Sequence, residues 1–220
     1  MIELRPFDGI GAANHGWLDA HHHFSFGTYH DPARTNWGRL RVWNDDTIAP
    51  KSGFPPHPHN DMEIVTYVRT GAITHRDSLG NEGRTEAGDV QVMSAAGWGA
   101  RPFPRGDRAG KFVTLASGMA GDEDALPINT SGRVLGATVK AGDSVTYATT
   151  PDRHLYLVAA EGRIKVDAGA SAVEADPRDG VAITGENSVT VTALITCTSP
   201  ASVRPSLPRL SRWVIAPVRT

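Results

Sequence analysis

The 220-residue chain reads as all-β, of the sandwich or barrel kind. Two features predict this. Short runs rich in Val, Ile, Thr and Tyr recur, among them Glu63–Val68, Leu155–Val158 and Ser188–Ile195. Between them, 23 glycines and 15 prolines are spread along the whole chain and cut it into strand-length pieces. No stretch carries sustained amphipathic helical periodicity.

The strand pattern occurs twice. Glu63–Val68 leads through Gly71 to Ala72-Ile73 and closes on Gly88-Asp89-Val90-Gln91-Val92. His154–Ala160 leads through Gly162 to Arg163-Ile164 and closes on Asp179-Gly180-Val181-Ala182-Ile183. Each copy runs strand, glycine turn, strand, Asp/Gly turn, strand, with nearly equal spacing from Gly71 to Asp89 and from Gly162 to Asp179. The reading is a duplicated small barrel, residues 1–119 and 120–220, with Ala120–Asn129 as a small and acidic junction.

Composition narrows the function. A formal net charge of −2 gives no global attraction to nucleic acid or anionic membrane, so no direct nucleic-acid or membrane role is expected. Cys197 is the one cysteine, so no intramolecular disulfide forms, and that usage suits a reducing cytoplasm. Met1–Pro6 lacks an apolar signal region, and no apolar run approaches the ~20 residues of a spanning helix.

Chemistry concentrates in Gly53–Glu63. His57 and His59 are two apart, so in extended backbone their side chains share one face, roughly 6.5 Å apart at the backbone. Glu63 has the same parity, and Pro56 and Pro58 stiffen the segment at a strand start or barrel rim. Imidazole with carboxylate suits iron, manganese, copper, nickel or zinc, and spacing does not choose among them. His21-His22-His23 begins a strand with alternating aromatics, where packing and surface roles are expected. His75 precedes a turn and reads as a hydrogen-bonding residue. Arg101, Arg105, Arg108 and Lys111 read as a solvated basic loop rather than a nucleic-acid site, one that a ligand anion could use. Cys197 has no histidine near it in sequence, and no Gly-X-Ser-X-Gly elbow, Walker loop or dinucleotide fingerprint occurs.

Phe24-Ser25-Phe26-Gly27 with Asp31-Pro32, His57-Pro58-His59 through Thr66-Tyr67-Val68, and His75–Gly80 with Gly88–Met93 resemble the pirin family. The resemblance implies a bicupin, two tandem cupin β-barrels of the jelly-roll type, with an N-terminal metal site, usually iron(II), and a degenerate C-terminal barrel. Some members resemble quercetin 2,3-dioxygenases, whereas others act as transcription cofactors. The implied activity is metal-dependent oxygenation of a flavonol-like aromatic substrate, with His57 and His59 as ligands and Glu63 as base. The alternative is a non-catalytic protein that binds a ligand or a protein partner.

One departure stands out. In the family pattern, a glycine turn leads into His-Ser-Glu, whose His and Glu complete the metal site. Here the chain reads Met93–Pro104, with Pro102 and Pro104 at those positions and the following apolar strand missing. Leu210–Pro217 reads as a short apolar strand and is expected to dock on a barrel edge.

Overall fold

The computed structural model describes residues 1–57, 62–78, 80–94, 97–194, 211–215 and 218–219. It is built of strands and three short 3-10 turns. No helix among the described residues is long and apolar enough to cross a membrane.

The N-terminal unit consists of three small antiparallel sheets. β2 (Gly11–Asn14), β3 (Leu18–His22) and β4 (Asn44–Ile48) form the first. β5 (Ile64–Tyr67), β8 (Val90–Ser94) and β9 (Gly97–Arg101) form the second. β6 (Ala72–Arg76) and β7 (Glu82–Glu86) make a hairpin. Directly opposed residues share a face, so Ile64, Met93 and Trp98 point one way, with Thr66, Gln91 and Ala100. The other face carries Val65, Tyr67, Val90 and Val92 onto Phe103, Leu115 and Leu126.

The C-terminal unit is larger. β10 (Val113–Ser117), β11 (Leu126–Pro127), β12 (Arg133–Val139), β14 (Arg153–Glu161) and β17 (Gly180–Thr184) lie in an eight-stranded sheet. It faces a four-stranded sheet of β13 (Ser144–Ala148), β18 (Ser188–Ala193), β15 (Ile164–Ala168) and β16 (Ser171–Ala175). Alternation is strict where one face is buried: Ile164, Val166 and Ala168 point in, Lys165 and Asp167 out. Two central strands, β14 and β17, are apolar through most of their length because they are covered on both faces.

Sheet membership does not follow chain order. β1 (Ile2–Arg5) pairs with β17, and β10 pairs with β12. The expected tail strand is present as β19 (Ser211–Ile215), with β20 (Val218–Arg219) on β14. The tail differs from the expectation in its place. β19 lies between β12 and β14, inside the large sheet, where both of its backbone sides find partners instead of one.

The duplication is visible in the backbone. Gly71 and Gly162 turn the two hairpins at φ 71° and 75°. Before the third strand of each copy the chain again enters the left-handed region, at Gly88 (φ 98°) in the first and Arg178 (φ 75°) in the second. A non-glycine residue there is strained and needs tertiary support. Arg178 has it: its guanidinium bonds both Asp45 oxygens, at 3.0 and 3.1 Å, and lies over the Phe7 ring at 3.8 Å. Arg69 bonds the same carboxylate, so Asp45 ties β4 to turns from both copies.

Candidate functional site

His57 lies just before the segment 58–61, which falls outside the described residues and contains His59. The His57 side chain is exposed, and its Nδ1–H donates to the Pro55 carbonyl at 2.8 Å. A ring oriented this way carries its lone pair on Nε2, the form a metal-ligating histidine takes. Phe54 stands 6.0 Å from it, ring to ring, and Trp17 packs edge-on against Phe54 at 5.2 Å. His57 therefore sits on an aromatic rim.

Glu63 precedes β5 and shares the parity of Val65 and Tyr67, so it points to the Asn129 side. Its Oε1 accepts from the Asn129 backbone N–H and, at 2.9 Å, from the Asn129 side-chain amide; its Oε2 accepts from the Thr130 N–H at 2.7 Å. Partial burial pushes this carboxyl up, but the four donor contributions from Asn129 and Thr130 outweigh it and hold it below the usual range. A general base at neutral pH needs the opposite environment. Here Glu63 staples β5 to the 129–130 loop.

On the other face of the β5-β8-β9 sheet, Trp98 reaches across to the β6–β7 hairpin. Its ring lies so close over Gly83 that a Cβ there would stand 2.0 Å from the indole. It is nearly parallel to His75, 5.7 Å between centroids, and its Nε1–H donates at 3.4 Å to Gln91 Oε1, which also accepts from Thr85 Oγ1 at 3.0 Å. Trp98 fills the space between sheet and hairpin. His75 Nε2 is buried with no hydrogen bond, 3.6 Å from Asp77 Oδ2, so this histidine packs and pairs weakly.

The positions that the resemblance assigns to the remaining ligands carry prolines. Pro102 and Pro104 have no side-chain donor, and between them the Phe103 N–H bonds Asp89 at 3.3 Å. Among the described residues no three His, Cys, Asp or Glu side chains gather where they could hold one ion. Of the candidate pair, His57 is described and His59 lies outside the described residues.

The other sequence candidates separate. His21 pairs with Asp19, His22 Nδ1 bonds Asn44 Oδ1 at 3.0 Å, and His23 Nδ1 bonds the Tyr156 hydroxyl at 2.9 Å. His23 is fully buried, and desolvation lowers its pKa to about 3, Asp45 opposing this only in part. The basic loop was expected on the surface, and Arg108 corrects that: it is 2% exposed, bonds the Gly88 carbonyl at 3.2 Å and stacks over Tyr67. Its charge is covered because the loop folds under the β-turn it hydrogen-bonds. Sequence reading missed Arg5 altogether. It is buried at 2% exposure, within 5.4–5.6 Å of the Phe24, Trp37 and Tyr156 rings. The alternating aromatics after His23 were the signal for that cluster, which joins β1 to the first unit.

Comparison with known proteins bears on the whole chain. The family model "Pirin" matches residues 5–100, and "Quercetinase C-terminal cupin domain" matches 114–198. A pirin-like protein of Caulobacter vibrioides is 55% identical over 225 residues, covering 88% of this chain and 95% of that one. Since 88% of 220 residues is about 194, some 31 of those 225 aligned positions face no residue here. Quercetin 2,3-dioxygenase of Escherichia coli K12 is 53% identical over 95 residues, covering 43% of this chain and 41% of that one. The crystal structure of the bacterial pirin YhhW of Escherichia coli in complex with nickel(II) superimposes with a TM-score of 0.83 at 27% identity, covering 100% of this chain and 99% of that one.

Proposed function

The chain belongs to the pirin family, and from that premise we propose that it is a bicupin that binds a small aromatic ligand or a protein partner without oxygenase turnover. One observation carries this reading. Counted on from Met93 as the resemblance implies, the two completing ligand positions fall on Pro102 and Pro104, and neither can donate an electron pair from its side chain. The engaged Glu63 carboxylate supports it, since a carboxylate tied to Asn129 and Thr130 must lose those bonds before serving elsewhere. We assign the protein to the cytoplasm on its single cysteine, and the division near 119/120 belongs to the same proposal, with β1 and β10 crossing it.

A second reading has its own support. His57-Pro58-His59 is intact, the His57 ring has a ligating tautomer, and a Pseudomonas aeruginosa relative, 53% identical over 225 residues, is provisionally named a quercetin 2,3-dioxygenase. Under it, His57 and His59 bind a divalent metal, iron(II) by the resemblance, and the substrate is flavonol-like. Such an ion supplies Lewis acidity toward substrate oxygen.

Metal analysis of untagged protein separates the two. Less than about a tenth of an equivalent of transition metal, unchanged by reconstitution with iron(II) or nickel(II), is expected if the site is a remnant. A full equivalent, lost together with quercetin consumption in His57→Ala, overturns the first reading.

A further inference from the structure

A cleft of about 550 Å³ opens in the C-terminal unit between the Gly110–Phe112 loop, β10, β12 and the edge strand β13. That volume is ordinary for a small-molecule site, ~300–1,000 Å³. Leu135 and Val145 lie buried beneath it, and most of the surface it exposes is polar. Phe112 and Tyr147 form a wall, edge-on to each other with centroids 5.9 Å apart. Both rings are only partly buried, so each retains surface on which a further ring can pack.

The polar side is fixed in advance. Arg133 donates to both Asp122 oxygens, at 2.6 and 3.0 Å, and to the Tyr147 hydroxyl at 3.4 Å. The Arg133 hydrogen bonds hold the Asp122 carboxyl below its usual range, so the pair stays ionised and rigid. Asp122 balances Arg133. The cation left at the mouth is Lys111, which is exposed and has no ion pair among the described residues. Among the described residues β13 pairs with β18 alone, so the backbone groups on its other side take no described strand partner and can serve a ligand.

We propose that this cleft binds a small planar aromatic anion, an aromatic carboxylate or phenolate, with its ring against Phe112 and Tyr147 and its charge toward Lys111. The site is separate from the His57 rim and stands whether or not the N-terminal unit holds a metal, since none of its lining residues is a candidate ligand there.

The test is a titration of the full chain with 2-naphthoate, followed by amide chemical shifts, with naphthalene-2-methanol as the neutral counterpart. Saturable shifts at Lys111, Phe112, Thr114, Arg133 and Tyr147 are expected, with the carboxylate binding more tightly. Lys111→Gln should lower 2-naphthoate affinity about threefold to fivefold, the size of an exposed ion pair, and leave the alcohol unchanged. Phe112→Ala should weaken both probes. Shifts centred on Trp17, Phe54 and His57, no saturation, or equal affinity for acid and alcohol in both wild type and Lys111→Gln would each overturn the proposal. Chelator should have no effect on 2-naphthoate binding, and loss of binding on its addition overturns the proposal too. The metal content and quercetin consumption that judge the earlier reading are independent of these readouts.

Discussion

The C-terminal unit closes its core on itself, whereas the N-terminal unit fills part of its interior with polar and aromatic groups that need one another. Among the described residues, sixteen buried apolar side chains form one cluster between the two C-terminal sheets. The corresponding N-terminal cluster has six, and three of these come from β10 and β11. On the other face of β8 the interior is Gln91 with Thr85, Trp98 and His75, held by hydrogen bonds of 3.0 and 3.4 Å and a stack. Apolar burial is additive and non-directional, whereas a polar set depends on each member's geometry. The interior that depends on polar geometry is in the half that carries His57-Pro58-His59.

Core truncation tests the first side of this comparison and should have the largest effect. Leu157→Ala, at a fully buried position of β14, is expected to cost about 2–5 kcal/mol in urea unfolding. A cost under about 1 kcal/mol would mean the C-terminal core is looser than its burial implies.

The Trp98–Gly83 contact tests the second side. Gly83→Ala places a methyl within the indole, so Trp98 must move, at about 1–3 kcal/mol. In the Trp98→Ala background the same substitution should be nearly neutral, and the double-mutant cycle measures that coupling. Additive costs would show that Trp98 does not occupy the space over Gly83.

The junction between the units should respond to pH. His23 is neutral when folded, with its pKa near 3, and titrates near 6.5 when unfolded, so the unfolded state alone takes up a proton between these values. Its contribution is therefore fully present above 6.5 and declines as pH falls toward 3, by about 1.4 kcal/mol per pH unit. Between pH 7 and 5 the loss attributable to His23 is about 2 kcal/mol, read as the difference in pH slope between wild type and His23→Gln. Parallel slopes would place the His23 side chain in water.

The smallest effect belongs to Glu63. Glu63→Gln keeps the shape but weakens bonds to Asn129 and Thr130, so about 1 kcal/mol is expected at pH 7, given its partial exposure. Folding holds this carboxyl low, so its contribution is present at neutral pH and fades as pH falls through the carboxylate range. A variant with unchanged stability but altered metal content would return Glu63 to the candidate metal site.

Much of the architecture was legible in one dimension. Alternation in Ile164–Ala168, the turn glycines Gly71 and Gly162, and the paired Asp89 and Asp179 are local features, and local sterics decide them. The repeat went further than glycine counting could, since Arg178 stands where Gly88 does and keeps its backbone conformation through Asp45. His57 and His59 were legible as a pair because i and i+2 spacing is itself geometry. Their partner was not: Glu63 has matching parity, yet the loop at Asn129–Thr130 claims its carboxylate.

Residue order alone thus determined an all-β duplicated chain and its hairpin turns. The tertiary structure decided what closes each unit: β1 on β17, β19 between β12 and β14, Trp98 over Gly83, and Arg5, His23 and Arg108 in the interior. Strand propensity and turn chemistry act over a few residues. Burial of a charge or closure of a sheet depends on groups more than a hundred residues apart, as with His23 and Tyr156, and only the folded chain brings those together.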